Sequence, residues 1–537
     1  MTFPLFLAGA VILLSLLLNH YLKKTPVPSL VLFLVLGMLF GENGVFHIPF
    51  DNYRLVDLLC STALIVIMFY GGFGTRLQAA RPVLGAAAVL STLGVAGSAL
   101  LLAGLAHVVL GLPLWESFLI GSVVSSTDAA SVFSILRNRK LALKYHTDSL
   151  LEVESGSNDP MAFMLTAVAI ALLSGESLSL PLVLAQQLLL GAALGLACGY
   201  VAARILQRNI LQGSESRTLF LLGILLLSYA LPMLAGGNGY LGTYLCGIYI
   251  GNAPLPQKRH LVHFFDVLTQ VAQVLIFFLL GLLVTPVDLP AVLWPALVLT
   301  LILTFVVRPM VVATILAPFR APLRQVLLTS WAGLRGAASI VFAIAAILAG
   351  VPTTLNLFNL VFCMVLFSIT IQGTLLPLFA KKLDMLGPSD EVEKTFTDYE
   401  EETDLNFGHV YVGPDSGWAG KTLAELRLPS GLIAALLLRQ GGMVLPTGDT
   451  RIEPGDTVIL AAHGVTSREW ALEEEVARAD THPLGQPLQD LPQTGRRRIL
   501  LIKRGLQTLL PNGTTKLQAG DILVSLQPGQ GEGEETA

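Results

Sequence analysis

Two short polar runs interrupt long apolar stretches of this chain: Ser125-Ser126-Thr127-Asp128 and Glu154-Ser155-Gly156-Ser157-Asn158-Asp159-Pro160. The stretches cover about 114–137 and 148–174, and each is long enough to span a bilayer as a helix. A carboxylate at the bilayer centre costs roughly 2.5–3.5 kcal/mol, so such residues usually face a cavity and mark an ion path. The neighbouring Gly, Pro, Ser and Thr residues favour locally broken helices, which are tolerated where they line a cavity. We therefore expect both runs to belong to an ion site.

The composition is that of a polytopic membrane protein. The 537 residues are 53% hydrophobic and 13% charged, whereas soluble domains carry about 25% charged residues. The net charge of −4 argues against nucleic-acid binding. The cysteines lie in apolar segments without metal-ligand spacing, so we expect no disulfide framework and no metal centre built from them. Because Lys23 and Lys24 follow the first apolar stretch, this stretch is interpreted as an uncleaved helix.

Apolar windows predict about thirteen membrane helices. They fall near 3–21, 27–41, 55–72, 82–111, 114–137, 148–174, 181–204, 217–235, 239–252, 263–284, 290–317, 322–349 and 355–381. Lysine and arginine concentrate in every second predicted loop, for example Arg137, Arg139, Lys140 and Lys144, whereas the loops between them contain Arg54. We expect an inner-membrane protein, and the positive-inside rule predicts that its N-terminus lies outside and its C-terminus in the cytoplasm.

Thirteen helices suit two six-helix halves of opposite orientation joined by the seventh helix. The fifth and twelfth helices then correspond, and each has a polar break: Thr127-Asp128 in one and Gly333-Leu334-Arg335-Gly336 in the other. Paired broken helices at matching positions of inverted repeats indicate a transport site. The predicted fold class of residues 1–382 is therefore all-α and polytopic, with two inverted repeats broken at mid-membrane.

The composition changes after Lys382. Residues 383–407 form an acidic stretch, interpreted as a solvated linker. Residues 408–465 and 497–528 show short strands and turns, and both place Pro-x-Gly-x-Thr ahead of Gly-Asp and an apolar strand. We predict a small α+β regulatory domain at 408–465, and a second, partial module with a flexible C-terminus at 466–537. The alternative is that the turns merely require Gly, Asp and Pro.

Asp159 is our candidate for the ion carrier. A carboxylate can hold one proton or one monovalent cation, so competition at a single group suffices for exchange. Asn158, Ser155 and Thr127 can supply neutral oxygens to the cation. The alternative is a buried aspartate that caps a broken helix end. Asp128 has three alternative roles: a second ligand of the ion, a partner for backbone donors of the broken helix or a substitute partner for Arg335.

Arg335 is a basic residue predicted at mid-span, and a buried guanidinium needs a carboxylate partner. Glu154, five residues before Asp159, is the expected partner. We predict that Glu154 and Arg335 form a structural ion pair that holds two broken helices together.

Together, the three motifs at 127–128, 154–160 and 333–336 resemble the monovalent cation:proton antiporter-1 family of NhaP-type exchangers. The resemblance covers about 1–382. It implies a homodimer in which Asp159 and Ser155 contact the ion and Thr127 supplies an oxygen from its broken helix. It also implies a Glu154–Arg335 ion pair. The Asn158-Asp159 sequence, where a sister family has two aspartates, implies electroneutral one-for-one exchange.

The tail from 408 to 465 resembles the TrkA-C, or RCK-C, regulatory domain of potassium-transport proteins. Such tails imply dimeric sensors of small ligands, sometimes nucleotides, although the sequence names no ligand and no cofactor. We expect an antiporter that exchanges K⁺, or alternatively Na⁺, for H⁺ and is not an enzyme. A tail-gated cation channel is a further alternative, but the sequence lacks a carbonyl-filter motif such as Thr-Val-Gly-Tyr-Gly.

Overall fold

A computed structural model gives the fold of the chain. It describes residues 9, 13–14, 29–42, 44–48, 50, 52–128, 131–132, 135–136, 143–175, 179–208, 210–211, 213–255 and 258–387 of the first part. In the tail it describes 405–413, 416–426, 428, 432–439, 442–463, 470–477, 485, 487, 498–504, 507–509, 515–518 and 520–528. The chain divides into two compact units, Met1–Tyr399 and Glu400–Ala537.

The described part of the first unit is helical. Its helices are α1 Ser29–Phe40, α2 Tyr53–Gly74, the single turn α3 Leu77–Ala80, α4 Leu84–Leu110, α5 Leu114–Val123, α6 Thr147–Leu173, α7 Leu180–Gln207, α8 Ser214–Leu234, α9 Gly239–Gly251, α10 Lys258–Leu283, α11 Pro286–Leu316, α12 Leu323–Trp331, α13 Ala337–Leu348 and α14 Leu357–Lys382. Among the described residues, eight helices are long and apolar enough to cross a membrane. The protein is therefore a multi-pass membrane protein.

The helix positions agree with the apolar windows from the second onward, whereas the predicted span 3–21 lies largely outside the described residues. Asparagine side chains mark several helix starts: Asn52 accepts a hydrogen bond from the Leu55 amide, and Asn238 accepts one from the Leu241 amide, both at 3.0 Å. These contacts satisfy backbone donors that the first helical turn leaves unpaired.

The structure confirms two of the predicted breaks and corrects a third. The chain leaves the helical conformation at 125–128 and again at 333–336. By contrast, α6 is continuous through the polar run 154–160, so the break expected there is wrong. Pro160 removes one backbone donor from α6, and its carbonyl accepts a hydrogen bond from Asn238 Nδ2 at 2.8 Å.

The segment that follows α14 is fastened to the first unit. Asp384 accepts hydrogen bonds from Lys144 Nζ at 3.0 Å and from Arg324 Nη1 at 2.9 Å. The next residue, Met385, is fully buried, and its carbonyl accepts a hydrogen bond from the Lys144 amide at 2.9 Å. Residues 384–385 thus contact the loop before α6 and the first turn of α12.

The second unit contains two antiparallel four-stranded sheets. The strands of the first are β1 Leu405–Tyr411, β2 Leu432–Arg439, β3 Gly442–Val444 and β4 Thr457–His463, in the order β1-β4-β2-β3. The strands of the second are β5 Trp470–Val476, β6 Arg498–Arg504, β7 Gln507–Leu509 and β8 Ile522–Pro528, in the equivalent order β5-β8-β6-β7. The two sheets have the same topology.

Equivalent arginine–aspartate pairs stabilise both sheets. Arg439 donates two hydrogen bonds to the Asp456 carboxylate, at 2.9 and 2.8 Å. Arg504 makes the same two bonds to Asp521, at 2.8 and 2.7 Å. The arginine beside each carboxyl lowers its pKa from the ordinary value. The matched Gly-Asp offsets seen in the sequence therefore correspond to matched ion pairs, which turn composition alone would not produce.

Candidate functional site

The candidate site begins where the two broken segments cross. Each break leaves backbone groups without helical partners, and these must be satisfied inside the protein. The Asp128 amide donates to the Leu334 carbonyl at 2.8 Å. The Arg335 guanidinium donates through Nη1 to the carbonyls of Ser125 and Ser126, at 2.7 and 2.6 Å. Each segment thus satisfies backbone groups of the other.

Glycine allows the two segments to approach closely. A Cβ atom at Gly336 would lie 2.5 Å from the Asp128 side chain, and one at Gly333 would lie 2.7 Å from Arg308 Nε. Real Cβ atoms do not make such contacts, so the glycines of the 333–336 motif serve packing at the crossing.

Asp128 caps the chain where it returns to the helical conformation. Its Oδ1 accepts a hydrogen bond from the Ser131 amide at 3.2 Å, and its Oδ2 accepts one from Ser131 Oγ at 2.5 Å. Of the three roles considered for Asp128, this geometry favours the partner for backbone donors.

Helix α6 presents its polar run to the Thr127 end of the crossing. Ser155 Oγ donates to the Thr127 carbonyl at 2.6 Å, and Asn158 Nδ2 contacts Thr127 Oγ1 at 2.5 Å. Residues three and four apart share a helix face, so Ser155, Asn158 and Asp159 occupy one side of α6. The structure brings Thr127, Ser155 and Asn158 into direct contact, with Asp159 next in the chain.

Two oxygens of this cluster are buried without partners among the described residues: Asn158 Oδ1 and Asp159 Oδ1. Asn158 is fully buried and Asp159 is 5% exposed. Both atoms are hydrogen-bond acceptors once the carboxylate is ionised, and a buried acceptor is costly unless it is satisfied. A cation or a proton can satisfy such acceptors.

The ion pair of the site differs from the predicted one. Glu154 is paired with Arg308 of α11, whose Nη2 donates to Glu154 Oε1. Arg335 instead binds backbone carbonyls, so the expected Glu154–Arg335 pair is wrong. The physical reason is that the broken segment 125–128 offers Arg335 two carbonyls that lack helical partners. Arg308 supplies the positive charge that neutralises Glu154.

Sequence reasoning overlooked Arg308. The residue lies inside the predicted span 290–317, in the sequence Val307-Arg308-Pro309. A guanidinium within an apolar span is itself a signal of a buried ion pair or an ion path. Away from the ends of the predicted spans, Arg308 and Arg335 are both possible partners for Glu154.

A fold of this kind, with crossed broken helices facing a polar helix, defines the class of ion-coupled membrane transporters. The structure resembles the solved sodium proton antiporter MjNhaP1 from Methanocaldococcus jannaschii at pH 8, with a TM-score of 0.61 and 23% identity over 71% of this chain and 99% of that one. A three-dimensional electron-microscopy map of the same antiporter gives a TM-score of 0.63 at 22% identity. These likenesses concern the fold.

The chain belongs to the sodium/hydrogen exchanger family. The family model "Sodium/hydrogen exchanger, transmembrane" matches residues 9–382, and the TrkA-C domain matches 409–465 and 472–524. The K(+)/H(+) antiporter NhaP2 of Shewanella baltica is 34% identical over 85% of this chain and 80% of its own. The K(+)/H(+) antiporter NhaP of Alkalimonas amylolytica is 36% identical over 71% of this chain and 67% of its own. The Na(+)/H(+) antiporter 1 of Methanocaldococcus jannaschii is 28% identical over 51% and 66%.

Proposed function

We propose that the chain is a secondary active antiporter that exchanges cytoplasmic K⁺ or Na⁺ for H⁺ at Asp159. The observation that carries this proposal is a pair of buried acceptors that have no partner within the described part of the chain, Asn158 Oδ1 and Asp159 Oδ1. A monovalent cation needs oxygen acceptors, and a carboxylate can replace the cation with a proton. Ser155 and Thr127 supply further oxygens at the same place.

Exchange follows from competition at one carboxylate. The ionised Asp159 attracts a partly dehydrated cation, and protonation removes the negative charge that holds it. Alternating access then carries either the cation or the proton. One univalent cation moves for one proton, so the cycle transfers no net charge.

The ion preference rests on the named relatives. NhaP2 of Shewanella baltica and NhaP of Alkalimonas amylolytica are named K(+)/H(+) antiporters, and they support K⁺ as the substrate. The Methanocaldococcus jannaschii relative is named a Na(+)/H(+) antiporter, and it supports Na⁺ as the alternative.

We extend the proposal to the rest of the molecule. Residues 1–382 form the exchanger, 383–407 a linker, 408–465 a regulatory domain and 466–537 a second module. The protein is an inner-membrane homodimer with its N-terminus outside and its C-terminus in the cytoplasm. The tail sets the exchange rate in response to a small cytoplasmic ligand, with a nucleotide as one candidate chemistry.

Asp159→Asn tests the carrier. In vesicles with an imposed proton gradient, the wild-type protein should exchange H⁺ for K⁺, with Na⁺, Rb⁺ and Li⁺ compared in parallel, and the variant should not. Asp57→Asn, which changes a partly buried carboxylate of α2, serves as a matched control and should retain exchange. Cation-dependent proton movement by Asp159→Asn would overturn the proposal. Cation current without saturable exchange would favour the tail-gated channel.

A further inference from the structure

Two π-helical turns lie beside the crossing of the broken segments. One, Leu303–Val307, interrupts α11, and the other, Ser368–Gly373, interrupts α14. Single π-turns inside α-helices are rare and are frequent at functional sites. These two contribute three buried polar side chains, Thr304, Ser368 and Gln372.

The three side chains form one hydrogen-bonded chain that ends on the broken segment. The Arg335 amide donates to Ser368 Oγ at 3.0 Å, Ser368 Oγ donates to Gln372 Oε1 at 2.5 Å, and Gln372 Nε2 donates to Thr304 Oγ1 at 2.9 Å. The Arg335 amide can only donate, so Ser368 Oγ accepts from it and has its own proton available for Gln372 Oε1. In this orientation the Gln372 amide nitrogen donates to Thr304.

The backbone of the same π-helical turn also contacts the other side of the 333–336 segment. Trp331, the last residue of α12, donates through Nε1 to the Gln372 carbonyl at 3.1 Å. The turn at 368–373 is therefore attached to the 333–336 segment on both sides, at Trp331 and at Arg335.

A small cavity borders this network. It has a volume of about 10 Å³, the space of about one water molecule. Thr304, Ser368 and Gln372 line it together with Arg308 and Arg335. Arg308 Nε is buried there without a partner among the described residues. Arg335 is 3% exposed, and its amide is bonded to α14 through Ser368 Oγ.

We propose that Ser368 and Gln372, anchored by Thr304, are positioning residues for the ion site. They hold the backbone at Arg335, whose guanidinium binds the carbonyls of Ser125 and Ser126. Thr127 follows directly in the chain and contacts Ser155 and Asn158. The three residues thus set the position of Thr127 without touching the cation. This inference rests on the proposed exchange at Asp159.

The test uses the full-length protein in vesicles and measures the KM for K⁺ and for Na⁺ separately from the maximal rate. Ser368→Ala, Gln372→Met and Thr304→Val should each raise the cation KM by about three- to tenfold, the effect expected for loss of one buried hydrogen bond. Thr304→Ser keeps the hydroxyl and should restore a wild-type KM. The double variant Ser368→Ala with Gln372→Met should equal the larger single effect, because both changes break one chain.

Thr300→Val is the matched control. Thr300 lies on the same helix as Thr304 and lines the same cavity, but its hydroxyl donates to the Ala296 carbonyl of its own helix at 2.7 Å. Its loss should leave the cation KM unchanged. As a readout independent of transport, the K⁺ concentration that gives half-maximal thermal stabilisation of the solubilised protein should rise in the three network variants and stay constant in Thr300→Val.

The outcomes separate the two proposals. If the wild type exchanges and Asp159→Asn does not, while the network variants keep a wild-type KM and half-stabilising concentration, the positioning inference is overturned and the exchange proposal stands. If the network variants lose maximal rate alone, their role is structural and the inference is overturned as well. If Asp159→Asn retains exchange, both proposals fall.

Discussion

The Arg308 guanidinium on α11 donates a hydrogen bond to Glu154 Oε1 on α6. Glu154 is fully buried and Arg308 is 2% exposed. The pair joins the helix that carries Asp159 to the helix that carries Thr304. Because Arg308 neutralises Glu154, Arg335 can bind the carbonyls of the opposite broken segment. The two arginines therefore have different partners, although both lie beside the crossing.

Breaking this ion pair from one side should destabilise the protein strongly. Glu154→Gln and Arg308→Met each leave one buried group without its partner, and the expected loss is about 3–5 kcal/mol. Thermal unfolding in detergent should show both losses, and the double variant should lose less than their sum. The matched cycle of Glu154→Gln with Arg335→Met should show a smaller coupling. Additive losses for the Arg308 cycle would contradict the observed pairing.

Gly336→Ala should push the broken segments 125–128 and 333–336 apart. The new methyl group would lie 2.5 Å from the Asp128 side chain, and overpacking of this kind costs about 1–3 kcal/mol. The backbone at Gly336 has φ −129°, which other residues adopt, so the effect is steric. Gly104→Ala on α4 is the control, because no atom of the described structure lies within 4 Å of its added carbon. We expect a lower midpoint of thermal unfolding and slower exchange for Gly336→Ala only; equal behaviour of the two variants would refute a steric requirement.

Exchange should be insensitive to membrane potential. One carboxylate that exchanges one proton for one univalent cation moves no net charge. Adding valinomycin at a fixed K⁺ gradient imposes a potential, and it should therefore leave the steady-state rate of Na⁺/H⁺ exchange unchanged. Voltage dependence would indicate a second transported proton, and Asp128 would be the first residue to replace.

The contact of Asp384 with Lys144 should depend on pH. Lys144, followed by Arg324, lowers the pKa of the exposed Asp384 carboxyl from its ordinary value of 3.8. A depressed pKa means that the stabilisation is present above the ordinary value and is lost as the pH falls below it. Lys144→Gln should therefore lower the unfolding midpoint slightly at pH 7, and the difference from wild type should shrink below about pH 3.8. Lys382→Gln removes an exposed lysine without an ion pair in the described structure and should have no such effect.

Two truncations should locate the end of the transport unit. A chain that ends after Gly387 keeps Asp384 and the buried Met385 and should still exchange, with an altered response to pH or to cytoplasmic ligands. A chain that ends after Leu383 loses both residues and should be less stable in detergent. If the longer chain inserts but never exchanges, the tail takes part in transport itself.

The sequence predicts the breaks at 125–128 and 333–336 because both combine serine or glycine with a charge in apolar surroundings, which few other structures tolerate; that the two segments cross is seen only in the structure. It misleads at 154–160, where the same residue types lie on an unbroken helix. There the spacing of Ser155, Asn158 and Asp159 at three and four residues already matched one helix face. The partner of Glu154 could not be read from the chain, because pairing depends on the packing of α6 against α11, and sequence distance does not encode it.

The crossing also constrains the order in which the molecule can be made. The bond between Arg335 and Ser125 joins residues 210 positions apart. During synthesis, the carbonyls of Ser125 and Ser126 therefore lack their Arg335 partner until most of the membrane domain has been synthesised. Contacts of such long range form late and slowly, and an unsatisfied backbone group in lipid costs several kcal/mol. The segment that becomes the ion site is thus among the last parts of the membrane domain to reach its final structure.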